Sequence, residues 1–254
     1  MGARKREDRK TQEGHVREML RAFYFSNASG RRLAETSKAS ELDYLEHLLK
    51  DELAYREQTK KVRMLSKAGF PLIKTFEGYS FENMVLPSSL GKDSLMALDF
   101  IRDKKDIIFF GGCGTGKTHA TTALGVLACN AGYKVKFTTV TSLVLRLSEA
   151  FKAGNAERIF KDYQSADLIC LDEWGYVPVD RNGSQLLYRI ISDSYEHRSL
   201  IITTNLPFQN WGTLFTDEQL AAAMIDRLVH HGYLIGTGDK SWRMTHALMR
   251  EGER

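Results

Sequence analysis

The sequence predicts an α/β fold in which a parallel sheet is flanked by helices and preceded by a small helical N-terminal domain. From Asp106 onward, short runs rich in β-branched and aromatic residues alternate with helical stretches, a pattern typical of a parallel sheet with crossover helices. Before that point, leucines recur at helical spacing from Leu42 to Leu53. We therefore divide the chain into a helical domain, residues 1–75, and an α/β domain, residues 76–254.

The composition suits a globular protein of ordinary type. The 254 residues are 43% hydrophobic and 27% charged. No apolar run approaches the roughly 20 residues that a bilayer span needs, and the first ten residues are mostly charged. We therefore expect no membrane association and a cytoplasmic location. The three cysteines lack the spacing of a zinc site or a disulfide framework, so reduced thiols are expected.

Positive charge is concentrated in the predicted N-terminal domain. Residues 1–75 hold 17 Lys and Arg against 11 Asp and Glu, or +6, which leaves 4 − 6 = −2 for the rest. One helix is predicted to begin at Ser40 and to stop before Gly69 and Pro71. The far half of this helix carries Arg56, Lys60, Lys61, Arg63 and Lys67. Such charge favours contact with a polyanion such as DNA, although a solvated charged helix has the same composition.

The remaining elements are predicted from periodicity and capping residues. Residues 70–104 form a connector with a short helix around Asp93–Arg102. The predicted strands are Asp106–Phe110, Lys134–Val140, Asp167–Leu171, Leu200–Thr204 and Tyr233–Gly236. The helices between them are predicted to begin near Lys117, Ser142, Gly183 and Thr216. The last of these opens on the capping box Thr216-Asp-Glu-Gln219.

A glycine-rich loop directly follows the first predicted strand and matches the phosphate-binding loop pattern at every fixed position. Its residues are Gly111, Gly112, Cys113, Gly114, Thr115, Gly116, Lys117 and Thr118. Glycines let the backbone aim its N–H groups at phosphate, and the next helix presents its positive dipole end. Lys117 is expected to reach the β and γ phosphates of ATP, and Thr118 to bind Mg²⁺. A chance glycine-rich turn is disfavoured by the strand before the loop and the helix after it.

Two acids, Asp172 and Glu173, follow the apolar strand Asp167–Leu171. A strand that lies beside the phosphate loop and ends in aspartate places a carboxylate where it holds the Mg²⁺ complex. Glu173 is then expected to orient the attacking water. Alone, two acids after an apolar strand indicate only a strand end, but their position downstream of the loop favours the functional interpretation.

Three further residues are candidates for contact with the γ-phosphate. Asn205 ends the strand Leu200–Thr204, where it is expected to lie beside phosphate and water, or simply to cap the strand before Pro207. Arg227 and Arg243 are candidates to neutralise the charge that develops during phosphoryl transfer. Both arginines are equally compatible with surface ion pairs, and spacing alone does not choose.

In the order of these motifs, the chain resembles the AAA+ branch of P-loop ATPases, and most closely the IstB-type helper ATPases of insertion-sequence transposition. The resemblance covers roughly residues 35–250 and matches nothing before them. Its most specific parts are Ala68-Gly-Phe-Pro and Asp226-Arg-Leu-Val-His-His. The helicase loader DnaC and the initiator DnaA are similar but more distant.

The resemblance implies that ATP lets subunits assemble on duplex DNA as a homo-oligomer that deforms the DNA. It also implies that this oligomer recruits and stimulates a transposase of the IstA type. Arg227 corresponds to an arginine finger acting on a neighbour's ATP, Arg243 to the sensor 2 arginine and Asn205 to sensor 1. The family usually has Ser-Tyr-Arg where this chain has Ser241-Trp242-Arg243, which leaves the arginine in place.

Other functions remain open at this point. A helicase loader shares nearly every ATPase residue but grips a helicase and single-stranded DNA. A scaffold protein uses ATP only to join subunits, without hydrolysis. A small-molecule kinase is disfavoured, because Asn205, Arg227 and the acidic pair all fit a water-directed ATPase.

Overall fold

The structure of the protein is a computed structural model that describes residues 2–175, 180–215 and 217–245. It divides into two compact units, Met1–Arg63 and Met64–Arg254. The division comes earlier in the chain than the boundary that the sequence suggested after residue 75.

Three helices come first along the chain, and a mixture of helices and strands follows them. The helices are α1 (Gly2–Ala22), α2 (Asn27–Thr36), α3 (Ala39–Ala68), α4 (Lys92–Met96), α5 (Asp99–Arg102), α6 (Lys117–Asn130), α7 (Val140–Lys152), α8 (Ala156–Gln164), α9 (Arg181–Ser194), α10 (Glu218–His230) and α11 (Trp242–Thr245). The strands are β1 (Asp106–Phe110), β2 (Val135–Thr139), β3 (Leu168–Trp174), β4 (Ser199–Thr204) and β5 (Gly232–Gly236), and a 3-10 helix spans Phe208–Leu214. Among the described residues, no helix has the length and apolar character of a membrane span.

The first unit contains two helices, α1 and α2, to which the sequence assigned no pattern. Its core is small and consists of Val16, Leu20, Leu42 and Leu49. Val16 and Leu20 lie one helical turn apart, so they share one face of α1. A pair of apolar residues within a long charged run is too weak a periodic signal to predict a helix.

Helix α3 begins and ends on identifiable signals. It begins at Ala39, and the side chain of Glu41 accepts a hydrogen bond from the Lys38 N–H at 2.6 Å. The predicted cap at Ser40 is therefore wrong, because Ser40 already lies inside the first turn. The end is as predicted, since the helix stops at Ala68 and Gly69 follows with φ of 83°.

The second unit is built on a parallel sheet. In the part of the chain that the structure describes, five strands pair in the order β2-β3-β4-β1-β5, all parallel. This confirms the predicted fold class. The strand β3 continues to Trp174, whereas the sequence predicted its end at Leu171. The acidic pair Asp172 and Glu173 thus lies within the strand.

Helices cover both faces of the sheet. Ile107 and Phe109 of β1 point into one core with Leu124 of α6. Ile108 points into the opposite core with Leu143 of α7 and Leu187 of α9. This alternation is the two-residue period of a strand buried on both faces. The result is a three-layer arrangement in which the sheet forms the middle layer and β4 is its central strand.

The helices predicted to begin near Ser142, Gly183 and Thr216 each begin within two residues of these positions, and a short polar side chain caps each of them. Thr139 accepts from Ser142 N–H and starts α7 at Val140, and Asp180 accepts from Gly183 N–H and starts α9. Asp217 caps α10, and the predicted cap Thr216 lies outside the described residues. The single helix predicted around Asp93–Arg102 is two helices, because Leu98 adopts the left-handed conformation between α4 and α5.

Asp106 at the start of β1 gives the fold a pH dependence. Its buried carboxylate accepts a hydrogen bond from Leu200 N–H at 2.7 Å. Burial raises the pKa of Asp106 to about 7 from an ordinary 3.8. Between these two values the folded state binds more protons than the unfolded state, so this carboxyl lowers stability as pH rises.

We expect Asp106→Asn to remove this loss, since the amide keeps an acceptor oxygen and carries no charge. We compare the free energy of unfolding of the variant with that of wild type at each pH. The difference, variant minus wild type, should be about 2 kcal/mol larger at pH 8 than at pH 5. Urea denaturation at the two pH values measures this difference. An equal difference at both values would contradict the assignment.

Candidate functional site

The glycine-rich loop connects β1 to α6. Gly114 and Gly116 have φ of 78° and 91°, a left-handed conformation that glycine adopts without strain. Gly116 is the N-cap of α6, so the first N–H groups of this helix face the loop. The loop is therefore shaped to bind an anion at a helix N-terminus.

Lys117 lies buried inside this loop. Its ammonium donates to the carbonyl oxygens of Gly111 at 2.7 Å and Gly112 at 2.6 Å. Burial lowers the pKa of Lys117, whereas the negative charge of the Asp172 carboxylate opposes this shift. The ammonium is thus held where an anion bound in the loop would meet it.

The acidic pair adjoins the first turn of α6. The hydroxyl of Thr118 donates to both carboxylate oxygens of Asp172, each at 3.0 Å, and Asp172 is buried. Glu173 is exposed and has a φ of 63°. The hydroxyl and carboxylate oxygens of Thr118 and Asp172 are side by side, which is the oxygen chemistry that Mg²⁺ prefers.

Asn205 follows β4 and extends toward the loop. Its side-chain nitrogen lies 4.0 Å from the sulfur of Cys113, and both residues are exposed. The carboxyl ends of β1, β3 and β4 therefore bring the loop, the acidic pair and Asn205 to one edge of the sheet.

The segment after β5, residues 237–242, runs along the loop. The hydroxyls of Thr115 and Thr237 are 2.7 Å apart, and the Gly112 N–H donates to the Gly238 carbonyl at 3.0 Å. The Trp242 N–H donates to the Gly114 carbonyl at 3.0 Å. Arg243 directly follows Trp242 and is thereby near the loop, and its positive charge lowers the pKa of Lys117.

Comparison with known families identifies this arrangement. The sequence profile of the IstB-like ATP binding protein family matches residues 12–249. The chain belongs to this family. The match begins well before residue 35, so residues 12–34, which the resemblance left unassigned, are part of the family region.

Relatives of this IstB-like protein are encoded in insertion sequences. The ATP-binding protein of insertion sequence IS21 from Pseudomonas aeruginosa is 34% identical over 215 residues, which are 84% of this chain and 81% of the relative. The ATP-binding protein of IS5376 from Geobacillus stearothermophilus is 31% identical over 218 residues, which are 86% of this chain and 87% of the relative. Both similarities thus extend over more than four fifths of the chain.

Solved structures with the same fold include a helicase loader and DnaA. The DnaC helicase loader matches 64% of this chain and 95% of its own, with a TM-score of 0.51 and 21% identity. AMPPCP-bound DnaA from Aquifex aeolicus matches 66% of this chain and 51% of its own, with a TM-score of 0.51 and 20% identity. These similarities confirm the AAA+ fold.

Arg227 of the IstB-like protein is engaged away from the loop. Its guanidinium donates to the Ala223 carbonyl at 2.9 Å and lies over the Tyr188 ring, 5.1 Å from the centroid. These contacts are within α9 and α10. The prediction that Arg227 serves a neighbour's site stays a prediction.

The predicted DNA-contact residues all lie on α3. Arg56 pairs with Glu52 at 2.7 Å and covers the ring of Phe23, so it is partly neutralised. Three of the others are exposed and Lys61 is half-buried. The exposed ones are Lys60, Arg63 and Lys67. Lys67 belongs to the second compact unit and the rest belong to the first.

Sequence reasoning missed residues that border the site. Thr203 hydrogen-bonds to the acidic pair. The Tyr79 ring would lie 3.2 Å from a Cβ added at Gly116, and it packs on His119 with ring centroids 5.0 Å apart. The available signals were the Thr203-Thr204 run before Asn205 and the aromatic spacing around Tyr79. Neither signal indicates a role without knowledge of which strands are neighbours.

The packing around Gly111 predicts that the loop tolerates no side chain there. A Cβ at this position would lie 2.3 Å from the Thr237 hydroxyl and 2.7 Å from the Gly238 carbonyl. We expect Gly111→Ala to lower the affinity for ATP at least about tenfold, because the loop must shift to relieve the clash. Binding of a fluorescent ATP analogue measures this.

Gly212→Ala is the matched control, since nothing lies within 4 Å of its added Cβ. It should bind the analogue as wild type does. Equal binding by Gly111→Ala would show that the loop is not the nucleotide site.

Proposed function

We propose that this IstB-like protein binds and hydrolyses ATP at the loop Gly111–Thr118 and assembles on duplex DNA under nucleotide control. On DNA it recruits and stimulates the transposase of its insertion sequence, of the IstA type. The observation that carries the proposal is the joining of Thr118, at the end of the phosphate loop, to the buried Asp172. This contact unites a phosphate-binding element with an acidic one in a single site.

The loop supplies the groups that hold a triphosphate. Its glycines allow backbone N–H groups to face inward, and α6 adds the positive end of its dipole. Lys117 adds a full positive charge at the bottom of the loop. Cys113 and Thr115 contribute backbone N–H groups to the same cradle. These features support ATP as the ligand.

Thr118 and Asp172 are the residues that would hold Mg²⁺. When bound with ATP, this ion neutralises charge on the phosphates during transfer of the terminal one. Glu173 is exposed beside them, so its carboxylate is free to orient a water and to accept its proton. Asn205, on the neighbouring strand, is positioned to contact the same water or the γ-phosphate.

The two arginines would make subunit assembly depend on bound nucleotide. We assign Arg243 to the ATP of its own subunit, because its charge already acts on Lys117. We assign Arg227 to the ATP of a neighbouring subunit. An arginine supplied in trans makes each site complete only at a subunit boundary, and is worth roughly 10³- to 10⁵-fold in rate. Subunits therefore form a homo-oligomer whose stability depends on ATP.

DNA contact is assigned to the basic part of α3. Lys60 and Arg63 are exposed and have long side chains suited to phosphate contact. Arg56, Lys61 and Lys67 extend this set along the helix. Such contacts neutralise backbone phosphates and carry no sequence information, so binding is expected to show weak sequence preference. The transposase partner is supported by the family and by relatives from insertion sequences.

DNA binding should fall steeply with salt. Each phosphate contact contributes about −0.9 to the slope of log K against log salt, so Lys60→Ala with Arg63→Ala should reduce the slope by about 2. Fluorescence anisotropy of a labelled duplex, with a slowly hydrolysed ATP analogue, measures this. Lys92→Ala with Lys134→Ala removes equal charge from exposed positions of the second unit and serves as control.

A salt-independent affinity, or an equal effect of the two double variants, would refute the DNA assignment. A clear preference for single-stranded DNA would instead favour a helicase loader.

A mixing experiment tests whether Arg227 acts on a neighbouring subunit. We expect Glu173→Gln and Arg227→Ala each to bind ATP but to lose turnover. At each boundary of a head-to-tail oligomer, one subunit supplies Glu173 and its neighbour supplies Arg227. In a random equimolar mixture each of these residues is intact at about half of the boundaries, so both are intact at about a quarter of them. Phosphate release by the equimolar mixture should therefore recover to about a quarter of the wild-type rate.

The exposed Arg158→Ala, on α8, controls for loss of an arginine and should leave turnover unchanged. No recovery in the mixture would place Arg227 on its own subunit's site. Normal turnover of Glu173→Gln alone would refute the role of Glu173.

A further inference from the structure

A single hydroxyl connects the two acids of the site. Thr203 on β4 is buried, and its Oγ1 donates to Asp172 Oδ1 at 2.5 Å. The same oxygen accepts a hydrogen bond from the backbone N–H of Glu173 at 3.0 Å. A threonine hydroxyl has one donor and two acceptor sites, so it makes both bonds at once.

This hydroxyl lies at a break in the sheet. Leu171 pairs with Ile202 and Trp174 pairs with Thr204, so the two acids of β3 oppose the single residue Thr203 of β4. Two residues opposite one is the definition of a β-bulge, a feature that redirects a side chain and is enriched next to active sites. The bulge turns Glu173 outward, between the buried Asp172 and Trp174.

The bulge has an energetic cost that Thr203 offsets. Glu173 adopts φ of 63°, in the left-handed region, where a residue with a Cβ is strained. The extra residue also removes the regular ladder partner of the Glu173 N–H. The hydroxyl of Thr203 satisfies that N–H and donates to the carboxylate of Asp172. One oxygen atom therefore fixes the positions of both acids.

We propose that Thr203 is a positioning residue for ATP hydrolysis, which sets the direction of the Glu173 carboxylate through the Glu173 backbone and the orientation of Asp172. The proposal rests on the ATPase function proposed above. It assigns Thr203 no contact with nucleotide, because its hydroxyl is already used by the two acids. Loss of the hydroxyl should therefore slow turnover and leave nucleotide binding nearly intact.

Thr203→Val tests this, since it replaces the hydroxyl by a methyl group of similar size. We expect kcat to fall about 10- to 100-fold, as for other residues that orient a catalytic ligand, with KM changed less than about threefold. Affinity for a fluorescent ATP analogue, measured separately, should also change less than about threefold, because Lys117 and the loop are untouched. Thr203→Ser retains the hydroxyl and should restore most of the rate.

Thr121→Val is the matched control. Thr121 on α6 is also fully buried, and its hydroxyl has no hydrogen-bond partner among the described residues. The same substitution there should leave turnover at the wild-type level. If Thr203→Val does not fold, Thr203→Ser and Thr203→Ala replace it as a pair, because both lack the methyl group and only alanine lacks the hydroxyl.

The outcomes are distinct. Wild-type turnover in Thr203→Val, or a serine variant as slow as the valine or alanine variant, overturns the role of the hydroxyl while the ATPase function stands. Weaker nucleotide binding with unchanged kcat would make Thr203 part of the binding site and also overturn it. A wild-type protein that binds ATP without hydrolysing it overturns the proposed function and this role together.

Discussion

The carboxylate of Asp172 is the group on which the site depends. It is buried, and a buried charge is tolerated only when other groups satisfy it. Thr118 from α6 and Thr203 from β4 both donate to it. Three segments that are distant in sequence are thereby joined at one side chain. The glycine-rich loop, the acidic strand β3 and the strand β4, which Asn205 follows, then have little freedom to move apart.

The parallel sheet explains why the polar groups meet at one edge. Strand β1 lies between β4 and β5, so the loop that follows it is flanked by Asn205 on one side and by residues 237–242 on the other. The carboxyl ends of parallel strands all face this edge, together with the N-terminus of α6. Lys117 adds a positive charge at this edge, where Asp172 and Glu173 carry negative ones. An anion that enters the loop thus meets a positive field, with the acids of β3 at the same edge of the sheet.

Much of this was predictable because the chemistry of the loop is contiguous. Eight consecutive residues, Gly111–Thr118, specify both the backbone shape and the charge of the phosphate cradle, and the strand before them is plainly apolar. The acids after Leu171 were predictable for the same reason. The capping residues of α7, α9 and α10 were not, because several nearby polar residues have similar capping preferences and the packing of the helix selects among them. Helices α1 and α2 were missed because their apolar face is only a few residues wide.

The sequence by itself determined the fold class, the phosphate loop, the acidic pair and the family, since each depends on residues close together in the chain. Only the tertiary structure decided which strands are neighbours. It revealed the bulge at Asp172 and Glu173, the position of Thr203 opposite both acids, and the contact of residues 237–242 with the loop. These features come from pairing between segments far apart in sequence. Local propensity does not encode such pairing, because it depends on how the whole sheet packs.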